Sequence, residues 1–209
     1  KDDYAHEAAK LSLWIAQHQM STLYKDLLNE ERLTLPLSPS ANIQCANSTL
    51  LNWEKFCPKT EGKIFFLIGN PPYLGSSMQS KEQKEDMNFV FKKSSGYKNL
   101  DYISCWFFLG AKYIECTNGK MAFISTNSIC QGEQVSMLWP RIFKLNIEIN
   151  FAYEPFKWSN SAKYNAGVTC TIISLKKVNS EKKVIYKKDN TLLTTNIISP
   201  YLCPGLNTI

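Results

Sequence analysis

The stretch FFLIGNPPYLG, residues 65–75, joins an apolar run to a rigid polar segment. The run leading up to Gly69 predicts a buried β-strand, which Pro71 and Pro72 must end because proline has no N–H to donate to a ladder. Open α/β sheets bind ligands beyond the carboxyl ends of their strands. The segment Asn-Pro-Pro-Tyr, residues 70–73, is therefore expected at a ligand-binding edge of a sheet.

The chemistry of residues 70–73 predicts a site that holds a planar amine. The side-chain oxygen of Asn70 can accept a hydrogen bond, and Pro71 offers a carbonyl that its ring holds in a fixed direction. Two neighbouring acceptors suit one –NH2 group, while Tyr73 offers a flat ring for stacking. The candidate catalytic residues are Asn70, Pro71, Pro72 and Tyr73. The alternative is a plain Pro-Pro turn after a strand.

This arrangement favours methyl transfer to a nitrogen whose lone pair is delocalised into a ring. Accepting both hydrogens of such an amine raises the electron density on nitrogen and favours a tetrahedral geometry. The amine can then attack a strong methyl donor, such as a sulfonium, in line. No catalytic histidine is required, in agreement with a chain whose two histidines, His6 and His18, both lie in the first predicted helix.

Helices and strands that alternate along the chain predict an α/β fold. Apolar residues spaced by three and four predict a helix over residues 2–29, and Ser80 with Gln83 predicts a capped helix from residue 80. Strands are expected at NIQCA, IFFLIG, KMAFIST, IEINFAYEPF and AGVTCTIISL. A helix begins at GEQVSML, and Pro140 is expected to open a second short one. We expect a mostly parallel sheet with a C-terminal antiparallel hairpin and helices on both faces.

The composition suits one domain in a reducing compartment. The 209 residues contain no apolar run near the roughly 18 residues that span a bilayer, and the N-terminus lacks the features of a signal peptide. Seven cysteines without C-x-x-C spacing predict free thiols in the cytoplasm and no metal site. The net charge of +6 and the lysine pairs near the C-terminus fit either phosphate contacts or a solvated surface.

Several segments resemble one known family. GNPPY after a buried strand resembles the catalytic motif of adenine-N6 and cytosine-N4 DNA methyltransferases. The segments LSLWIAQHQM, NLDYISCWFFLGAKYI, FISTNSICQGEQVSMLWP and FKWSNSAKYNAGVTCTIISL are similar, in that order, to the methyltransferase region of large single-chain type II restriction–modification enzymes of the IIG and IIL kinds. The resemblance covers nearly all of residues 4–178 and favours adenine over cytosine.

The resemblance implies a Rossmann-like class I methyltransferase sheet, of which this chain holds a part. It implies S-adenosyl-L-methionine as the methyl donor and double-stranded DNA as the partner. It also implies that Asn70, Pro71 and Tyr73 hold an adenine flipped out of the duplex.

The resemblance further implies residues beside the cofactor and the base. The cofactor is expected to lie near Asn47, Ser48, Asn70, Leu100 and Asp101. Phe156 or Trp158 is expected to pack on the flipped base together with Tyr73. Three alternatives stay open: Asn47 as a turn residue, Asp101 as a helix N-cap, and core packing for the two hairpin aromatics.

Two features that the resemblance leads us to expect are absent from the sequence. These are a glycine-rich loop of the form Phe-x-Gly-x-Gly and an acidic residue at the end of a second strand. Residues 1–180 are therefore expected to be the C-terminal part of a methyltransferase catalytic domain, with an incomplete cofactor site and no activity alone. Residues 181–209 are expected to connect it to a target-recognition domain.

The strand IFFLIG is expected to expose an open sheet edge if the preceding strands are missing. Two outcomes are favoured, because buried backbone groups are seldom left unpaired. Either the strand IQCAN, residues 43–47, moves in beside it, or two chains pair edge to edge.

Two other functions are compatible with the sequence. An amine methyltransferase that acts on a protein glutamine or on RNA shares the tetrapeptide, although the QGEQ and FKWSN segments favour DNA. The second is a non-catalytic remnant of a restriction system, which the absent glycine-rich loop supports.

Overall fold

The computed structural model describes residues 2–28, 43–60, 62–92, 94–158 and 167–205. These residues belong to two compact units, Lys1–Leu51 and Asn52–Ile209. Among the described helices, none combines the length and the hydrophobicity that crossing a bilayer requires.

The first unit contains helix α1, Asp3–Leu28, which confirms the helix predicted for residues 2–29. The Asp2 carboxylate accepts hydrogen bonds from the N–H groups of Tyr4 and Ala5 and caps the first turn. Residues 34–40, which include two prolines expected to break the chain, lie outside the described residues. The strand predicted at NIQCA, residues 42–46, is wrong over its described part, because residues 43–46 join no ladder and lead into a turn.

The second unit holds the sheet and four helices in its described residues. Its elements are α2 (Trp53–Phe56), β1 (Phe66–Gly69), a 3₁₀ turn (Ser76–Met78), α3 (Lys81–Phe91), α4 (Ser104–Ile114), β2 (Lys120–Thr126), a second 3₁₀ turn (Asn127–Cys130), α5 (Gly132–Phe143), β3 (Ile147–Tyr153), β4 (Phe156–Lys157), β5 (Thr169–Lys177), β6 (Lys183–Tyr186) and β7 (Leu192–Thr195). The predicted capping box of α3 is confirmed, because the Ser80 side chain accepts from the Gln83 N–H and the Gln83 side chain accepts from the Ser80 N–H.

The seven strands form one mixed sheet in the order β1-β2-β5-β3-β6-β7, with β4 paired to β5. Strands β1, β2, β3 and β6 run in one direction, and β5 runs antiparallel to both of its long neighbours, β2 and β3. This arrangement confirms the α/β class and the predicted antiparallel hairpin of β3 and β5. The hairpin tip, residues 159–166, lies outside the described residues.

Helices α4 and α5 pack on one face of this sheet and build the core. Strand β2 alternates half-buried and buried residues, and its buried residues Met121 and Phe123 face the helices. The Phe107 ring of α4 lies edge-on against Phe123, with ring centroids 5.6 Å apart. A Cβ at Gly110 would lie 2.8 Å from the Met121 sulfur, so a larger residue there would require the Met121 side chain to move. The seven cysteines are free thiols, and three of them are buried.

Helix α5 continues through Pro140, so the prediction that this proline opens a second helix is wrong. A proline at this position removes the hydrogen bond to the carbonyl of Ser136, four residues earlier. Ser136 is exposed, whereas Leu138, Trp139 and Ile142 on the same helix are fully buried. Burial of these three side chains keeps the last turn helical despite the missing bond.

Strands β6 and β7 extend the sheet beyond residue 180. Residues Phe151–Tyr153 of β3 pair in parallel with Val184–Tyr186 of β6, and β6 pairs with β7. Residues 183–195 therefore pack as part of the second unit. The division into residues 1–180 and 181–209, with the latter leading to another domain, stays a prediction.

Strand β1 lies at the edge of the sheet and pairs only with β2 among the described residues. Its side chains Phe66 and Ile68 are 67% and 76% exposed, so the prediction that this strand is buried is wrong. The predicted movement of residues 43–47 into the place beside β1 is wrong, because these residues form no strand. Edge-to-edge pairing of two chains stays a prediction.

Candidate active site at the end of strand β1

The segment Asn70–Tyr73 leaves the carboxyl end of β1, as the sequence predicts. Pro71 is buried and anchors the segment, while Asn70 and Pro72 are exposed and Tyr73 is half-buried. Among the described residues, neither the Asn70 side chain nor the Pro71 carbonyl forms a hydrogen bond within the protein. Two acceptors in adjacent residues are therefore free to bind a ligand.

The Tyr73 hydroxyl interacts with the sulfur of Cys170 on β5. Partial burial raises the pKa of Tyr73, and the Cys170 thiol raises it further. Burial also raises the pKa of the Cys170 thiol, which is fully buried. Both groups therefore stay protonated and neutral near pH 7, and Tyr73 offers an uncharged ring.

Phe156 and Trp158 lie on the same face of the sheet as Cys170. Phe156 is directly opposite Cys170 in the β4–β5 pair, and opposite residues of an antiparallel pair point to one face. The backbone N–H of Trp158 donates to the Val168 carbonyl at 2.9 Å, which continues the ladder. Trp158 therefore points to the same face as Phe156, two residues earlier. The fold thus brings Tyr73 and Phe156, 83 positions apart in the sequence, to the same buried cysteine.

Asp101 binds the backbone of Leu74, the residue that follows the tetrapeptide. Its carboxylate oxygen Oδ1 accepts from the Leu74 N–H at 2.9 Å and from the Ile103 N–H at 3.1 Å. Burial raises the pKa of Asp101, and hydrogen bonds from Ile103, Leu74 and Ser128 oppose that rise. The contact with Ile103 closes the turn that precedes α4, whose N-cap is Ile103, so the alternative of Asp101 as the helix N-cap is wrong.

Two glutamines that the sequence did not single out hold the loop around Asp101. The Gln79 side-chain amide donates to the carbonyls of Leu74 and Leu100, both at 3.0 Å. Gln134 donates to the Asn99 carbonyl and accepts from the Asp101 N–H. Gln134 lies in the QGEQ segment, but its partners are 33 and 35 positions away, so no local pattern indicates them.

Comparison with known proteins gives a family. The family described as MmeI, DNA-methyltransferase domain, matches residues 1–187, which include the tetrapeptide and all of the surrounding residues described above. The chain belongs to the MmeI DNA-methyltransferase domain family. Its predicted relation to the methyltransferase region of type II restriction–modification enzymes is therefore confirmed.

Two relatives place the MmeI-type domain within longer proteins. The chain is 48% identical over 207 residues to DNA methyltransferase A of Bacillus subtilis (strain 168). The aligned region covers 99% of this chain and 24% of the relative. It is also similar to the solved structure of the type IIL restriction–modification enzyme MmeI in complex with DNA, with a TM-score of 0.88 and 34% identity over 100% of this chain and 28% of that one. The chain thus spans about a quarter of the length of the curated relative it matches.

The cofactor candidates of this MmeI-type domain differ in how accessible they are. Asn47, in the first unit, accepts from the N–H and the hydroxyl of Thr49 in a turn, which supports its alternative role as a turn residue. Leu100 is fully buried, and the Asp101 carboxylate is occupied by backbone N–H groups. Asn70 is exposed and free to bind a ligand. The cofactor roles of Asn47, Ser48, Leu100 and Asp101 stay predictions.

Proposed function

We propose that the complete gene product carrying this chain methylates the exocyclic N6 amine of adenine in double-stranded DNA, with S-adenosyl-L-methionine as the donor. The observation that carries this proposal is the pair of free acceptors on Asn70 and Pro71, next to a neutral Tyr73, at the carboxyl end of β1. Membership of the MmeI DNA-methyltransferase domain family supports it. Because the substrate is DNA, we propose the cytoplasm as its location.

The proposed chemistry follows from the hydrogen bonds that Asn70 and Pro71 can accept. Asn70 Oδ1 and the Pro71 carbonyl accept hydrogen bonds from the two N–H groups of the adenine amine. These bonds make the amine nitrogen more nucleophilic as that nitrogen becomes tetrahedral. The ring of Pro71 fixes its φ, and Pro72 after it restricts its ψ, so the Pro71 carbonyl needs little reorganisation during the reaction. Bound S-adenosyl-L-methionine would supply a methyl group from a positively charged sulfur. The S–CH3 bond would break as the N–CH3 bond forms, the sulfur would leave as a neutral thioether, and the methylated nitrogen would release one proton to water. No described side chain has to change its protonation state before the methyl group is transferred.

The aromatic residues supply the surface for the base. Tyr73 is half-buried and its hydroxyl interacts with the Cys170 thiol, so it offers an uncharged ring beside the two acceptors. A base that leaves the duplex loses its stacking partners, and an aromatic face restores part of that energy, on the order of 1–3 kcal/mol per base. Phe156 shares the face of the sheet with Cys170 and is the second candidate; Trp158 is the third.

The proposal is tested by identifying the methylated product. The complete gene product, incubated with DNA and labelled S-adenosyl-L-methionine, is expected to yield N6-methyladenine after the DNA is digested to nucleosides. Purified residues 1–209 are expected to yield none, because the sequence lacks the glycine-rich loop. Mass spectrometry of the nucleosides separates the products.

Other products have defined meanings in this assay. N4-methylcytosine would contradict the adenine assignment, and methylated protein or RNA in place of DNA would support the alternative amine methyltransferases. A methylated base formed by residues 1–209 alone would contradict the expected incomplete cofactor site. A reaction without DNA is the control for methylation of protein.

We further propose that residues 1–209, when purified alone, self-associate through the edge of β1. The edge presents unpaired backbone groups beside the exposed side chains of Phe66 and Ile68. Ile68→Lys is expected to abolish this association, because a lysine on an edge strand opposes strand pairing. Leu192→Lys, an exposed position on the opposite edge strand β7, is the matched control.

Light scattering coupled to size-exclusion chromatography measures the effect over a range of concentrations. Residues 1–209 and the Leu192→Lys variant are expected to shift toward the dimer mass as concentration rises, and Ile68→Lys is expected to stay monomeric. A monomer at every concentration without any substitution would rule out pairing through this edge.

A further inference from the structure

The tetrapeptide has few backbone donors with which to hold itself. Pro71 and Pro72 have no N–H, so the position of Tyr73 depends on the residue that follows. The Leu74 N–H donates to Asp101 Oδ1 at 2.9 Å. The Leu74 carbonyl accepts from the Tyr102 N–H at 2.9 Å and from Gln79 Nε2 at 3.0 Å. Both backbone groups of Leu74 are therefore bound, and two of the three bonds come from the loop of residues 99–102.

The same loop is fixed from its other side by Gln134. Gln134 Nε2 donates to the Asn99 carbonyl at 2.7 Å, and Gln134 Oε1 accepts from the Asp101 N–H at 2.9 Å. One side-chain amide thus spans the loop with its donor on one residue and its acceptor on another. This fork needs an uncharged amide, because a carboxylate has no hydrogen to donate and an ammonium has no lone pair.

Gln134 can hold the loop of residues 99–102 in place because its own helix, α5, is fixed by buried side chains. It lies in the first turn of α5, where the next residue, Val135, is fully buried. The indole N–H of Trp139, also fully buried, donates to the Ile129 carbonyl at 2.8 Å. Hydrogen bonds therefore run without a gap from α5 through the loop of residues 99–102 to Leu74, the neighbour of Tyr73.

We propose that Gln134 is a positioning residue for methyl transfer. It holds Leu74 through the loop of residues 99–102, and so sets the Tyr73 ring and the acceptors of Asn70 and Pro71 relative to the adenine amine. This inference rests on the function proposed above and assigns a role to the QGEQ segment. A shift of about 1 Å at a reacting group can cost about 10²-fold in rate, so loss of this one amide is expected to be visible in catalysis.

The test compares two substitutions of the same kind in the same segment of the complete gene product. Gln134→Glu keeps an acceptor for the Asp101 N–H but places a carboxylate oxygen against the Asn99 carbonyl. Gln131→Glu adds the same charge three positions earlier, at an exposed residue whose side chain has no hydrogen bond among the described residues. Both charges lie at the start of α5, so their interaction with the helix dipole is matched.

Gln134→Glu is expected to lower kcat by about 10- to 100-fold while KM for DNA changes little, because the lost contact acts on geometry rather than on binding. Gln131→Glu is expected to keep both constants. Thermal unfolding is measured on each variant. If Gln134→Glu does not fold at the assay temperature, Gln134→Met, which is uncharged and of similar length, replaces it and the same separation of kcat from KM is required.

The remaining outcomes distinguish a failure of the proposed function from a failure of the role proposed for Gln134. An unsubstituted protein that does not methylate adenine would refute the proposed function and this inference with it. If the unsubstituted protein is active and the Gln134 variant matches it in kcat, the inference alone fails. A variant whose KM for DNA rises while kcat stays unchanged would make Gln134 a DNA-contact residue and would also overturn the positioning role.

Discussion

Replacement of Asn70 by alanine is expected to lower methyl transfer by the complete gene product about 10²- to 10³-fold, the range observed when one preorganised hydrogen-bonding group is removed from a transition state. The Asn70 oxygen accepts from an amine whose N–H bonds become more polar as the nitrogen becomes tetrahedral, so the interaction acts mainly in the transition state. Asn70 is exposed and has no hydrogen bond within the described part of the chain, so the substitution leaves the fold intact.

Single-turnover transfer of labelled methyl groups measures the rate, and calorimetry measures cofactor affinity, which is expected to stay nearly unchanged. Asn118→Ala is the matched control. Asn118 is also an exposed asparagine in a loop, but it precedes β2 and therefore lies at the opposite end of the parallel strands. An Asn70→Ala protein that still protects its DNA from the cognate nuclease at the normal rate would refute the assigned role.

Replacement of Lys183 by methionine is expected to lower the free energy of unfolding by about 3–5 kcal/mol, because it leaves the buried charge of Glu148 without its partner. Lys183 and Glu148 are only 2% and 7% exposed, and their charged atoms lie 2.9 Å apart. Lys183 also donates to the Asn179 carbonyl, while Glu148 accepts from the Asn179 N–H. The pair thus ties β3 to β6 and to the turn between β5 and β6.

Urea denaturation of the purified protein measures the loss. Lys187→Met is the control, because Lys187 pairs with Glu154 at 3.3 Å but is 38% exposed at its side chain, and exposed pairs contribute about 0–1 kcal/mol. The double variant Glu148→Leu with Lys183→Met is expected to recover much of the stability, since it removes both charges together. Equal denaturation midpoints for Lys183→Met and the unsubstituted protein would show that the pair contributes nothing.

Local sequence determined the elements whose signals lie within one turn or one strand. The apolar run before residues 70–73 and the two prolines were enough to place the end of β1. Ser80 and Gln83 specified the start of α3, because both capping contacts lie within four residues. The short apolar run in KMAFIST predicted a strand, and β2 covers all seven of these residues. Those signals were correct because backbone geometry and nearby side chains decide them.

Local signals failed where burial competed with them. Pro140 marks a helix start by its missing N–H, yet Leu138, Trp139 and Ile142 are buried strongly enough to carry α5 through it. Residues 43–47 are apolar enough to suggest a strand, but Asn47 draws the chain into a turn with Thr49.

The surroundings of the site were decided by tertiary structure. The sequence identified Asn70, Pro71 and Tyr73, but only the placement of β5 between β2 and β3 brings Cys170 to the Tyr73 hydroxyl and Phe156 to the same face. Gln134 reaches Asn99 across 35 positions because α5 and α4 pack on one sheet face. A hydrogen bond between a side-chain amide and a distant backbone carbonyl has no sequence period, so it exists only once strand order and helix packing have set the distance.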